Sequence, residues 1–172
     1  MQDTMKHFTK FIITRYANEQ AYRENRPSNV PDAVTGEELP SVSVIEGNLL
    51  LNEGIALVWD LAIGAGGTAF NNANAYIGVG DSATAAAASQ TGHQAATNLA
   101  YVGMEAGYPS RSAQTVTWRA VFDGSTGNFS WQEATVANGN SNSATNLNRR
   151  VSDQGTKASG QVWTVDVQIT LS

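Results

Sequence analysis

Few side chains in this sequence are of types that do chemistry, and their spacing limits what each can do. Gly78-Val79-Gly80-Asp81-Ser82-Ala83 follows a strand-like run and has the G-x-G-x-x-A outline of a dinucleotide fingerprint. That motif works only inside a strand–turn–helix unit that aims a helix N-terminus at the pyrophosphate. No strand–helix alternation follows, so the glycines read as a turn. His7 and His93 are the only histidines, and cysteine is absent. A metal site would have to rest on carboxylates, and none pair at ligand spacing. Serines are plentiful, but no G-x-S-x-G elbow presents one to His93 as a nucleophile. No catalytic residue and no cofactor are expected.

Glu133 is the most informative acid. In F-S-W-Q-E-A it shares parity with Phe129 and Trp131, which places it on an apolar strand face. A carboxyl there either has a raised pKa and acts as a general acid or pairs with an arginine. No second carboxylate accompanies it at a recognisable spacing. Pairing is therefore expected, with Arg149 the first candidate. Arg149, Arg150 and Lys157 make a basic cluster too small for nucleic acid. Asn128-Phe129-Ser130 has the outline of a glycosylation sequon and reads as turn chemistry.

The elements that must position these groups centre on Gln114–Val136. Q-T-V-T-W-R-A-V-F and F-S-W-Q-E-A-T-V flank D-G-S-T-G-N, which reads as an antiparallel hairpin. Setting Phe122 opposite Phe129 puts Ala120 against Trp131 and Trp118 against Glu133. The last run, 162–171, alternates cleanly: Trp163, Val165, Val167, Ile169 and Leu171 on one face, polar residues on the other. Trp118, Phe122, Phe129, Trp131 and Trp163, with Glu133 and Arg149, are the expected structural residues. Residues 48–63 carry Leu50, Leu51, Ile55, Val58, Trp59 and Ala62 at helical spacing, with Asn48 as N-cap and Gly64 as stop. Gly54 inside that helix signals close packing. Short strands are expected at 75–79, 99–105 and 146–151. The alanine-rich, polar stretch 80–98 reads as a loop that is mobile or covered by a partner.

The N-terminal 46 residues look different. Residues 6–16 read as a strand, although Phe8, Phe11 and Ile12 also fit a helical stripe. Pro27, Pro31 and Pro40 then break the pattern, as in an extended arm. Phe8, Phe11, Tyr16 and Tyr22 would be its partner-binding side chains. The expected architecture is thus mainly β: an antiparallel sandwich or barrel-like sheet over 47–172, one helix, and an extended arm over 1–46. Residues 1–26 hold five basic and three acidic residues, while the whole chain carries -5. Only 15% of its residues are charged, a surface suited to packing against protein rather than to holding a polyanion. No apolar run has the length to cross a membrane, and Met1–Lys10 lacks the apolar segment of a signal peptide.

Several stretches together resemble small structural proteins of tailed bacteriophage virions. They are G-N-L-L-L-N-E-G-I-A-L-V-W-D-L-A-I-G (47–64), Y-I-G-V-G-D-S-A-T-A (76–85), W-Q-E-A (131–134), N-L-N-R-R-V (146–151) and G-T-K-A-S-G-Q-V-W-T-V (155–165). Near the end of the polar loop the group often has Leu, where His93 stands here. The resemblance implies a virion protein made in the host cytoplasm: a capsid cement or decoration protein whose partners are the major capsid protein or other virion proteins, and further copies of itself in a trimer. A tail or fibre component is the first rival. A carbohydrate-binding β-sandwich, recognisable by an exposed aromatic pair beside carboxylates or amides, is the second. Neither an enzymatic role nor nucleic-acid or membrane binding is expected.

Overall fold

The computed structural model describes residues 7–172. In chain order the elements are β1 (His7–Tyr16), α1 (Glu19–Arg23), β2 (Val30–Pro31), β3 (Glu38–Leu39), β4 (Val42–Glu46), β5 (Leu49–Leu50) and α2 (Asn52–Ala62). They continue as β6 (Tyr76–Gly80), β7 (Leu99–Gly103), β8 (Ser110–Ser112), β9 (Thr115–Phe122), β10 (Glu133–Ala137), β11 (Asn148–Val151) and β12 (Val162–Leu171). One antiparallel sheet runs β4-β1-β12-β9-β8 and a second runs β5-β11-β10-β6-β7, with β2-β3 a small ribbon. The two large sheets face each other in a sandwich-like, mainly β fold with two helices. The expected fold class holds, with one helix more than expected.

The core lies between the sheets. Phe11 and Ile13 of β1, Trp118, Ala120 and Phe122 of β9, and Trp163, Val165 and Val167 of β12 come from one side. Ile77 and Val79 of β6 and Val136 of β10 come from the other. Alternation along each strand sends these residues inward and their neighbours outward. Trp131 packs edge-on against both Phe122 and Trp163, at 4.8 Å between ring centroids in each case.

The structure corrects the extended arm. β1 is an interior strand, paired along its whole length with β12 and over Lys10–Thr14 with β4. Phe11 and Tyr16, expected to meet a partner, are buried in this domain, and the Tyr22 hydroxyl donates to Glu105 Oε1 at 3.0 Å. Of the four, only Phe8 is strongly exposed, at 58%. The prolines do not release the segment after β1, because side chains tie it back. Buried Arg15 donates from Nη1 to Pro40 O and Ser43 Oγ and from Nη2 to Gln154 O, with its guanidinium over Trp163. Asp32 accepts from the backbone of Val34, Thr35 and Thr156. The part of the expectation that covers residues 1–6 lies outside the described residues.

The hairpin is corrected too. β9 pairs with β12 and β8, whereas β10 pairs with β11 and β6 in the opposite sheet. Residues 123–132 therefore cross from one sheet to the other. The expected cross-strand pairs Phe122–Phe129, Ala120–Trp131 and Trp118–Glu133 do not form; Phe122 meets Trp131 edge-on instead. Alternation reports the core face of β9 correctly, but on β10 it is Ala134 and Val136, not Glu133 and Thr135, that face the core. Buried Lys157 holds the crossover by donating from Nζ to Asp123 O at 2.6 Å and to Asn128 Oδ1 at 2.7 Å.

The helix α2 starts later than the sequence suggests. Leu51 is its N-cap position and Leu49–Leu50 form β5, so Asn48 does not cap it. Its buried face is Gly54 and Leu57, with Leu61 packed at the edge of the core. Ile55, Val58 and Trp59, which carried the helical spacing in the sequence, point outward at 38%, 41% and 58% exposure.

Candidate functional site

Two features stand out as sites: a buried cluster of charge on β10 and an uncovered apolar face on α2. The first is built on the outer face of the second sheet. In the β10–β6 register Glu133 stands opposite Gly80 and Thr135 opposite Gly78. Ala134 and Val136, one residue on, pack in the core instead. Glu133 is thus on the face away from the sandwich interior, which corrects its expected place beside Trp131. It is nonetheless fully buried, because the segment 81–98 lies over this face.

The two glycines are what make room. A Cβ at Gly80 would stand 2.7 Å from Glu133 Oε1, and one at Gly78 would stand 2.5 Å from both His93 Nε2 and Tyr101 Cε1. The G-V-G motif therefore accommodates a carboxylate and an imidazole rather than a phosphate. Sequence reasoning found the glycines without finding the tenants. The signal was present: two glycines two apart on a strand clear one face, and that face needs an occupant.

Arg149 of β11 donates from Nε to Glu133 Oε2 at 2.6 Å, with both side chains fully buried. The expected pair is present. The backbone N–H of Gln94 and of Ala95 donate to the same carboxylate, at 3.1 and 2.8 Å to Oε1. Arg149 Nη1 donates to Gln90 Oε1 at 2.9 Å. His93 Nδ1 lies 3.4 Å from Glu133 Oε1. The contact lacks hydrogen-bond geometry, and neither ring nitrogen has a hydrogen-bond partner among the described residues. The His93 ring meets Tyr101 edge-on, and its backbone is held from both sides by Asn142. Burial pushes the Glu133 carboxyl up, but His93, the Gln94 N–H and Arg149 together outweigh it and hold the group down at about 2. Burial and the nearby Glu133 and Glu53 raise the Tyr101 hydroxyl.

A carboxylate held so low is a poor proton carrier near neutral pH. The cavity that Glu133 lines together with the core residues Trp131 and Val165 is about 20 Å³, room for a water and no substrate. The cluster is built to clamp the 81–98 segment onto the sheet. Among the described residues no group of three or more His, Asp or Glu stands close enough to hold a metal ion. No described helix is long and apolar enough to cross a membrane.

The second feature is apolar. On α2, Ile55, Val58 and Trp59 and, just past its end, Ile63 are exposed, Ile63 at 77%. Beside them runs a groove of about 390 Å³ floored by Val116, Trp118, Leu147 and Ile169 and rimmed by Leu50 and Leu171. Gly54 seats the helix against this floor: a Cβ there would stand 2.5 Å from Leu147 Cα. Trp118 is fixed below by an indole N–H bond to Phe70 O at 3.0 Å. Asp60 is the one charged residue on the exposed side of the helix.

Comparison with protein-family models, with curated proteins and with solved structures found no match for this chain.

Proposed function

We propose that this chain is a non-enzymatic structural protein of a tailed-bacteriophage virion, a cement or decoration protein that binds neighbouring capsid subunits, stabilises the head and itself forms a trimer. The identity rests on the resemblance of residues 47–172 to such proteins. The observation that carries the assembly is the outward face of α2. A helix apolar on both its inner and outer faces is normally covered on both, and an exposed patch with a groove beside it marks a contact surface.

The occupant we assign to this face is another copy of the same chain. A foreign partner chosen by charge would find only Asp60 to pair with, whereas like faces with almost no charge meet without repulsion. Trp59, Ile55 and Val58 themselves form one wall of the groove, so exposed apolar side chains and groove make one continuous surface for a second copy to cover. Sedimentation equilibrium should give a species of three times the 18.2 kDa chain. Trp59→Glu with Ile63→Glu should return it to monomer without loss of circular dichroism. A wild-type monomer at about 50 µM, well above micromolar affinities, would reject the assembly. Cryo-EM of the virion tests the location: density on the head supports cement, and density on the tail replaces it with the tail role.

A further inference from the structure

A second cleft lies far from the α2 face in the chain's architecture, on the outer side of the first sheet. It is about 710 Å³, bounded by α1 with the turn after it and by the loop that follows β7. We propose that this cleft binds a neutral saccharide.

Its floor is aromatic. Tyr22, partly exposed, supplies the ring face, and the buried Tyr16 backs it edge-on at 5.4 Å. A sugar ring presents an apolar face of C–H groups to such a phenol, and its hydroxyls then reach the polar groups around it. Three planar groups are placed for that. The Glu105 carboxylate holds the Tyr22 hydroxyl on Oε1 and keeps Oε2 free of any bond closer than 4.0 Å to Arg119 Nε. Arg119 spends Nε and Nη2 on Asp166, at 2.6 Å for Nη2, and lies over the Tyr108 ring, which leaves Nη1 unengaged. Asn25 accepts from the Tyr16 hydroxyl on Oδ1 and has Nδ2 to offer. One acceptor and two donors lining the same cleft suit neighbouring hydroxyls, each of which both donates and accepts.

The charge balance sets the ligand class. Arg119 is neutralised by Asp166 and Arg23 is paired with Glu19. An anionic ligand such as a phosphate would meet no unpaired cation and would face Glu105. The groups are also held in place before binding, because Asp166 and Tyr108 fix the guanidinium from two sides. Shallow sites of this kind bind with Kd of about 1 mM.

The test is saturation-transfer NMR on the full chain with lactose, maltose, chitobiose and mannobiose, each at about 5 mM, and with inorganic phosphate as the anionic probe. At least one disaccharide should take up saturation and shift the Tyr22 ring resonances. Glu105→Gln, a mild change at a half-exposed side chain, should weaken that binding about tenfold. Tyr22→Phe, which keeps the ring, should weaken it less. Four disaccharides without transfer overturn the proposal. So does transfer unchanged in Glu105→Gln, which would place the sugar elsewhere, or a response to phosphate alone.

Discussion

Glu133 is a charge taken out of water and then paired on every side. Removing either member of such a pair strands the other, which costs about 3–5 kcal/mol, whereas removing both costs clearly less than the sum. Glu133→Ala and Arg149→Ala should each show a loss of that size in denaturant unfolding, and the double variant should recover part of it. Additive losses would mean that the 2.6 Å contact carries no coupling. The same carboxyl sets an acid limit. Its folded pKa of about 2 lies below the ordinary 4.5, so between those values the unfolded chain binds more protons. The contribution is complete above pH 4.5 and is lost as pH falls toward 2. Glu133→Gln should flatten that part of the stability profile. Lys157 gives a slope of the same sign at high pH, although its lowered pKa costs stability while the ammonium is charged. Burial lowers its ammonium to about 8 from 10.5, more than Asp123 can restore. Between pH 8 and 10 the unfolded chain keeps a proton that the folded chain has given up, so stability should rise. Lys157→Met should remove that rise, as read from chemical unfolding at the two pH values.

At the scale of elements, α2 is held by a missing side chain. Replacing a helical glycine by alanine ordinarily stabilises by about 1 kcal/mol. At Gly54 the new methyl would stand 2.5 Å from Leu147 Cα and 2.6 Å from its carbonyl oxygen, both backbone atoms that cannot swing aside. Forcing a helix off its seat costs about 1–3 kcal/mol or more, so the steric term wins. Gly54→Ala should lower the melting temperature, while Ala56→Gly, on the exposed side, should cost only the propensity difference. A Gly54→Ala variant as stable as the wild type would mean that α2 rides clear of β11. Gly54 was legible as a close-packing residue, and so was the face alternation of β12. The inward face of α2 was not legible. Ile55, Val58 and Trp59 outweigh Leu57 and Leu61 on any apolar count, and a count cannot tell an exposed apolar face from one that meets its own sheet. The Glu133–Arg149 pair was legible from the cost of a lone buried carboxylate. His93 was not, because it comes from a loop without periodicity and is placed by glycines on another strand.

At the scale of the whole molecule, the prolines between β1 and β4 suggested a detachable arm, and the topology argues the reverse. β1 lies between β4 and β12 and supplies Phe11, Ile13 and Tyr16 to buried positions. Each such side chain contributes about 1.5–3 kcal/mol as an upper estimate, so the three together are a large share of the roughly 5–15 kcal/mol that holds an ordinary domain folded. Losing the strand would also leave β12 with a bare edge along ten residues of unpaired backbone. Arg15 adds a further tie, since its bonds to Pro40, Ser43 and Gln154 join the first strand to the loop before β4 and to the turn after β11. Deletion of residues 1–16 should therefore give an aggregating chain without cooperative unfolding, measured by circular dichroism melts and by limited proteolysis. Deletion of residues 1–6 alone should leave both strand pairings intact and the melt cooperative. A 17–172 fragment that still melts cooperatively near the wild-type temperature would show that the sandwich closes without its interior strand and would return residues 1–16 to the role of a docking arm.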